Sequence, residues 1–152
     1  MQMSSIEIRD ADSARDAVAC ALVYAPNVHE SPTSFEERPP GINEMAARIE
    51  WISATHPWLV AEGAEVVVAY AYACPHRERP AYRWAVDVSV YVAEGYRGEG
   101  IGRALYEALF ERLRDQGFRT ACAGITLPNE ASVRIHRRFG FQQAGLCEEV
   151  GR

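Results

Sequence analysis

The chain reads as a mixed α/β domain with antiparallel hairpins early and one strand-helix-strand crossover late. Three observations predict this class. Val- and Tyr-rich extended segments follow two helical patterns. A Val-rich strand then passes through "RGEGIG" into a long amphipathic helix whose apolar positions Ile101, Leu105, Leu109 and Leu113 recur every four residues. Finally, a helix opened by Asn129 and ended by Gly140 precedes a last extended segment. With 152 residues the chain falls within the roughly 100–200 expected of one domain, so a single core is predicted.

In order, the pattern predicts a strand near Ile6 to Arg9 and a helix from about Asp12 to Tyr24 capped by Asp12 or Ser13. The Pro-containing segment His29 to Gly41 is a loop, and a second helix runs from Asn43 to Thr55. Strands follow at Trp58 to Glu62, Glu65 to Cys74 and Trp84 to Val92. The long helix starts on Gly102, the last of the closely spaced glycines, and stops at Gly117. A short strand at Arg119 to Ile125, the Asn129 helix and a final strand from Phe141 toward Val150 complete the order. There is no internal repeat, low-complexity tract or linker.

Composition excludes several function classes. No apolar run approaches the roughly 18 residues of a membrane span, and "MQMSSIEIRDADSARD" lacks the basic flank and apolar core of a secretory signal, so a cytoplasmic location is expected. A net charge of -5 opposes nucleic-acid binding, which needs a basic face. Cys20, Cys74, Cys122 and Cys147 form no C-x-x-C pair and have no His at ligand spacing. Four buried thiols are expected, with no structural metal and no disulfide framework.

Two features carry chemistry. Alternation along the strand before the glycines sets Trp84, Val86, Val88, Val90 and Val92 on a core face and Ala85, Asp87, Ser89 and Tyr91 on a polar one. A carboxylate in mid-strand is either a hydrogen-bonded structural group or a general base at the floor of a cleft. The loop Gly98–Glu99–Gly100–Ile101–Gly102 at the start of a helix is either a tight turn or an anion seat, where backbone N–H groups and the helix dipole favour a phosphate, with Arg97 and Arg103 adding charge. It has no G-K-[ST] and runs G-x-G-x-G instead of G-x-G-x-x-G. The next strand, "RTACAGI", ends without a ribose-binding carboxylate, so neither a P-loop nor a dinucleotide fold fits.

On these residues the chain resembles the GNAT N-acetyltransferase superfamily. Arg97, Gly100 and Gly102 reproduce its [QR]-x-x-G-x-[GA] loop, and "NEASVRIHRRFGF" is similar to its second coenzyme A segment. More narrowly, "HPWLVAE", "RPAYRWAVDVSVYV", "GFRT" and "LPNEASVRIH" resemble the phosphinothricin N-acetyltransferase group over nearly the whole chain. The resemblance implies a single GNAT domain over residues 1–152. Its sheet is mostly antiparallel, splayed at a parallel strand pair and flanked by about four helices. Proteins of this group continue with a Gly- and Trp-containing turn and a further strand, so the final strand is expected to be missing and the domain to be truncated at its C-terminus.

The resemblance also implies an activity, the transfer of an acetyl group from acetyl-CoA to a primary amine by direct attack. The pyrophosphate is expected on Gly98 to Arg103, including Glu99 and Ile101, with Asn129 and Ser132 also facing the cofactor. Val90, Tyr91 and Val92 are expected to bind the pantetheine arm through their backbone. Asp87 stands where the group has Glu and is the implied base, directly or through water. His136 stands where the superfamily has a Tyr that protonates the departing thiolate; the alternative is a partly buried His satisfied by backbone. Arg134, Arg137 and Arg138 either meet phosphates or form a solvated basic face.

For the acceptor, Phe35, Arg77, Arg79 and Tyr82 are candidates, the arginines pairing with a carboxylate or phosphinate. A small anionic amino acid or analogue follows, such as phosphinothricin, methionine sulfone or methionine sulfoximine. The alternatives are a GNAT enzyme acting on a protein N-terminus, polyamine or aminoglycoside, and a non-catalytic acyl-CoA-binding module. No metal and no membrane partner are expected, and a homodimer is consistent with the group.

Overall fold

The computed structural model describes residues 6–29, 40–76, 83–124 and 130–143. The elements run β1 (Glu7–Asp10), α1 (Ser13–His29), α2 (Ile42–Ser53), β2 (Trp58–Gly63), β3 (Val66–Pro75), β4 (Ala85–Val92), a 3-10 turn (Glu94–Tyr96), α3 (Ile101–Asp115), β5 (Thr120–Cys122) and α4 (Glu130–Arg138). The sheet order is β1-β2-β3-β4-β5. The first four strands are antiparallel neighbours, and the α3 crossover makes β4 and β5 parallel. This is the predicted mixed sheet with one parallel pair.

The start of α1 is fixed by its sequence. The Asp12 carboxylate accepts from the amides of Ala14 and Arg15 at 2.9 and 3.0 Å, as an N-cap residue does. Asp16 returns the favour by accepting from the Asp12 amide at 2.7 Å. Its two oxygens also take a bidentate pair of 2.8 Å hydrogen bonds from Arg9 on β1, and Arg9 reaches Glu62 on β2 at 2.7 Å. One guanidinium thus ties the helix start to two strands. The helix continues past its expected end at Tyr24, through Pro26. Proline removes one N–H, and the carbonyl left without it belongs to Leu22, an exposed residue that water can reach.

Two cores lie on opposite faces of the sheet. On one face Ala69, Ala71 and Ala73 of β3 and Val86 and Val88 of β4 meet Ile101, Leu105, Tyr106, Leu109 and Leu113 of α3. The row of alanines lets a helix bearing large side chains lie close to the strands. On the other face Trp58, Val60, Val67 and Tyr70 meet Ala17, Cys20 and Val23 of α1 and Met45, Ile49 and Ile52 of α2. Alternation therefore sends β3 alanines to α3 and β3 tyrosines to α1 and α2.

Several expectations need correction. The second face of β4 is not simply polar, because Tyr91 packs into the α1–α2 core, 5.0 Å edge-on to Tyr24 and 5.4 Å from Tyr70. Trp84 is about half exposed and precedes β4, meeting Phe118 edge-to-face instead of entering the core. Only Cys20 is buried among the described thiols; Cys74 and Cys122 are partly exposed, and Cys147 lies outside the described residues. The strand expected over Arg119 to Ile125 is confined to Thr120–Cys122, because its pairing with β4 ends there. Residues 141–143 are not strand, and the rest of the segment expected to reach Val150 lies outside the described residues.

Candidate active site

The register at the parallel pair opens a cleft. Ala85, Val86 and Asp87 face Thr120, Ala121 and Cys122, and among the described residues no further β4 residue has a β5 partner. On its other side β4 stays paired with β3 all the way to Val92, which faces Ala69. Val90, Tyr91 and Val92 therefore lie beyond the last described β4–β5 pair, Asp87 with Cys122. Asp87 lies at the fork, its side chain 44% exposed.

The glycine loop leads from the end of β4 to α3. Gly98 and Gly100 have φ of 82° and 83°, left-handed backbone that favours glycine. Nothing lies within 4 Å of a Cβ built on either, so backbone conformation and not crowding selects the residue. The helix begins at Ile101, one residue before the expected Gly102, with Gly100 as its N-cap. Gly100 offers no side-chain cap, and the first turn holds no acidic residue. The first-turn amides thus point outward without an intrahelical acceptor, and the dipole adds positive potential there. Gly102 packs this turn onto the fork, since a Cβ there would stand 3.5 Å from both Val92 and Ile135. Arg97 braces the loop by donating Nε–H to the Val92 carbonyl at 3.2 Å, while Arg103 is held by Glu107 at 3.2 Å. Glu99 is half-buried between the two positive-φ glycines.

His136 sits on α4, on the α3 side of the sheet, and is only 6% exposed. Its Nδ1–H donates to the Ser132 carbonyl at 2.7 Å, which leaves Nε2 to accept from the Tyr106 hydroxyl at 2.8 Å. Burial pushes the imidazole below its ordinary pKa, opposed by the Ser132 hydrogen bond. The ring is therefore neutral near pH 7 with both nitrogens engaged, the backbone-satisfied alternative that the sequence left open. Asp87 and His136 also lie on different faces of the sheet. Asn129, Phe35, Arg77, Arg79 and Tyr82 fall outside the described residues.

A cavity of about 440 Å³ opens beside β5, lined by Val86, Phe110, Phe118, Ala121, Phe139 and Phe141 among others. Because Val86 and Asp87 alternate along β4, this space is on the α3 side and not on the Asp87 side.

Comparison with known proteins agrees with this architecture. The profile of the Acetyltransferase (GNAT) family matches residues 25–141. The chain belongs to the GNAT family. Among relatives of this GNAT acetyltransferase, a phosphinothricin N-acetyltransferase of Streptomyces coelicolor is 41% identical over 86% of the chain and 78% of its own length. An L-methionine sulfoximine/L-methionine sulfone acetyltransferase of Pseudomonas paraeruginosa is 36% identical over 97% of the chain and 86% of its own length. A phosphinothricin acetyltransferase of Sinorhizobium meliloti, solved in complex with AcCoA, superimposes with a TM-score of 0.88 at 36% identity, covering 93% of the chain and 77% of that structure.

The GNAT fold also brings in two residues that sequence reasoning did not connect to Asp87. His76, just past β3, places Nδ1 2.6 Å from Asp87 Oδ1. Cys122 is the register partner of Asp87 on β5. When Nδ1–H donates to the carboxylate, the basic lone pair of the imidazole is at Nε2, so the pair offers two bases that share one hydrogen bond. Around it, Tyr72 stacks on Trp58 at 4.4 Å, forming an aromatic wall on the Asp87 face. Spacing in the chain hides these partners, 11 and 35 positions from Asp87, and only strand register reveals them.

Proposed function

We propose that this acetyltransferase moves the acetyl group of acetyl-CoA to the primary amine of a small amino acid or analogue of the phosphinothricin or methionine sulfoximine/sulfone type, in a ternary complex. The observation that carries this reading is the uncapped start of α3, seated by Gly102 against the stretch of β4 beyond its last described pair with β5. The names of the relatives support the substrate class.

In this reading the amides and side chains of Gly98 to Arg103, with Arg97, hold the pyrophosphate. Main-chain groups of Val90, Tyr91 and Val92 bind the pantetheine arm as an added strand does and draw charge from the thioester carbonyl. An acceptor ammonium titrates well above neutrality, from about 8 to about 10, so its proton must be taken before attack. Asp87, oriented by His76, takes that proton. The amine nitrogen then bonds to the acetyl carbon, the carbon–sulfur bond breaks with its electron pair leaving on sulfur as the CoA thiolate, and the second nitrogen proton passes through solvent to that thiolate. We assign His136 a positioning role: through Tyr106 it locks α4 onto α3, keeping α4, whose Ile135 packs on Gly102, beside the glycine turn. Phe35, Arg77, Arg79 and Tyr82 line the acceptor side, the arginines meeting its anionic group.

A cytoplasmic location and a homodimer belong to the same proposal. Val18 and Leu22, one turn apart on α1, and Trp51 on α2 expose apolar surface that supports self-association, and sedimentation over a range of concentrations tests it.

The deciding experiment is an acceptor screen with acetyl-CoA, reading released thiol. Turnover with phosphinothricin, methionine sulfoximine or methionine sulfone, and none with spermidine, aminoglycosides or peptide N-termini, is expected. Preference for any of the latter overturns the substrate class, and no turnover on any amine would leave an acyl-CoA-binding module.

A further inference from the structure

Cys74, Asp87 and Cys122 form one lateral row across β3, β4 and β5, since Asp87 is the register partner of both cysteines. Residues in register project to the same face, and His76, two positions beyond Cys74, shares it. The ligand atoms of His76, Asp87 and Cys122 all lie within 4.8 Å of one another. An imidazole just past β3, a carboxylate of β4 and a thiol of β5 thus converge at the fork of the sheet.

Two chemistries could use such a group. A disulfide between Cys74 and Cys122 is excluded by the sheet itself. With β4 between them, their Cα atoms are roughly 9–10 Å apart, beyond the ~7 Å limit for a bridge. Metal ligation remains. A nitrogen, an oxygen and a sulfur donor suit a borderline-soft divalent cation and not Mg²⁺ or Ca²⁺, which take oxygen. Three protein ligands with a fourth position open to solvent is a common zinc arrangement. Tetrahedral bonds of about 2.0–2.3 Å space neighbouring ligands by roughly 3.3–3.8 Å. The His76–Asp87 contact of 2.6 Å must therefore open, and the widest spacing close, by about an ångström. Side-chain rotation suffices for that at a half-exposed carboxylate.

We propose that His76, Asp87 and Cys122 form a binding site for Zn²⁺ or a similarly thiophilic divalent cation, and that the bound cation stops acetyl transfer. Binding converts the Cys122 thiol to a thiolate, with its proton released to solvent, so affinity rises with pH. The cation occupies the carboxylate that receives the proton of the acceptor and places positive charge where an ammonium must approach. The inhibitory half rests on the function proposed above; the binding half does not.

The test uses the full chain freed of metal by chelation. Titration with Co²⁺ is expected to give one equivalent with a thiolate-to-cobalt charge-transfer band, and Zn²⁺ to displace it, with Mg²⁺ silent. Cys122→Ser is expected to lose the band and weaken Zn²⁺ binding at least tenfold, while Cys74→Ser, in the same row but outside the ligand set, keeps both. Matching thermal melts for the two variants exclude misfolding as the cause. In activity assays the acetylated amine is quantified by chromatography, because the released CoA thiol itself binds zinc. Zn²⁺ is expected to inhibit the wild type more than tenfold, reversibly with chelator, and to spare Cys122→Ser, each protein being compared with its own metal-free rate. Absence of a cobalt band in the wild type, or unaltered Zn²⁺ binding in Cys122→Ser, overturns the site. Cys122-dependent binding without inhibition overturns the inhibitory half alone. Cys122-dependent binding by a chain that acetylates no amine keeps the site and removes the proposed function together with the inhibition.

Discussion

Replacing Gly100 with Ala and with Asp separates backbone strain from charge at the start of α3. Its φ of 83° is left-handed, and no atom lies within 4 Å of an added Cβ, so Gly100→Ala meets no clash. The expected cost is that of a non-glycine residue in this region, about 1–2 kcal/mol. At about 2–4 °C per kcal/mol for a domain of this size, Tm falls by roughly 2–8 °C. Acetyl-CoA binding in Gly100→Ala stays within a few-fold of wild type, because the first-turn amides remain. Gly100→Asp suffers no more strain, since Asp tolerates left-handed backbone better than Ala. It does place a carboxylate where the pyrophosphate is proposed to sit. Two unit charges about 4 Å apart repel by about 1 kcal/mol in water and about 4 kcal/mol at an effective dielectric of 20. Binding is expected to weaken by about fivefold at the first figure and by up to about a thousandfold at the second. Calorimetry with acetyl-CoA and thermal melts on both variants measure the two effects separately. Wild-type affinity in Gly100→Asp would refute the anion seat, and equal losses of affinity in both variants would show that loop shape alone was at stake.

Other perturbations follow from the same geometry. Asp87→Asn is expected to lower kcat by about 100-fold or more and flatten the acidic limb of the pH profile while calorimetric acetyl-CoA affinity is unchanged; full activity at neutral pH returns Asp87 to a structural role. Arg79→Ala is expected to raise KM for anionic amino-acid acceptors more than for neutral amines, and equal effects on both refute that contact. Arg9→Met leaves the buried Asp16 carboxylate without its guanidinium and is expected to cost about 3–5 kcal/mol in urea unfolding; a loss below about 1 kcal/mol contradicts the assignment. Burial alone would raise the Asp16 carboxyl above its usual 3.8, but hydrogen bonds from Arg9 and the Asp12 amide, with the charges of Arg9 and Arg15, hold it lower. Its stabilising contribution is therefore complete above about pH 4 and is lost as pH falls through the lowered folded value. Wild-type stability should drop on that acid side more steeply than that of Arg9→Met. Glu65→Gly, at a φ of 66° in the β2–β3 turn, is expected to raise stability by about 1 kcal/mol, and an unchanged melt would show that the turn is unstrained.

Local periodicity made much of this fold legible. The four-residue recurrence of Ile101, Leu105, Leu109 and Leu113 located α3, and all four are buried. Alternation separated Val86 and Val88 from Asp87 on β4, and the glycines marked the turn into the helix. What escaped was set by register and depth. No pattern within the chain aligns Cys122 or His76 with Asp87, because those neighbours are created by the pairing of three strands. Hydrophobicity also misplaced Trp84, where one large apolar side chain at a strand end meets Phe118 edge-to-face and stays half exposed. His136 was visible as a residue type in a motif, but its chemistry depends on Tyr106, which occupies the imidazole nitrogen that a thiolate would need. The expected end of α1 at Tyr24 fell short because the pattern did not reveal that the helix runs on through Pro26 at an exposed stretch.

The short overlap of β4 with β5 sets a limit on how this enzyme can be stabilised. Extending the three-residue pairing toward Val92 would add hydrogen bonds to the sheet and seal the opening at which its proposed ligand enters. Thermal robustness in this chain must therefore be sought elsewhere, at the β2–β3 turn or on the surfaces of α1 and α2. The bound ligand should itself act as a length of strand beside β4. The amides from Ser89 to Val92 on that side should exchange with solvent readily in the free protein and slowly in the complex, and the melting temperature should climb with ligand concentration.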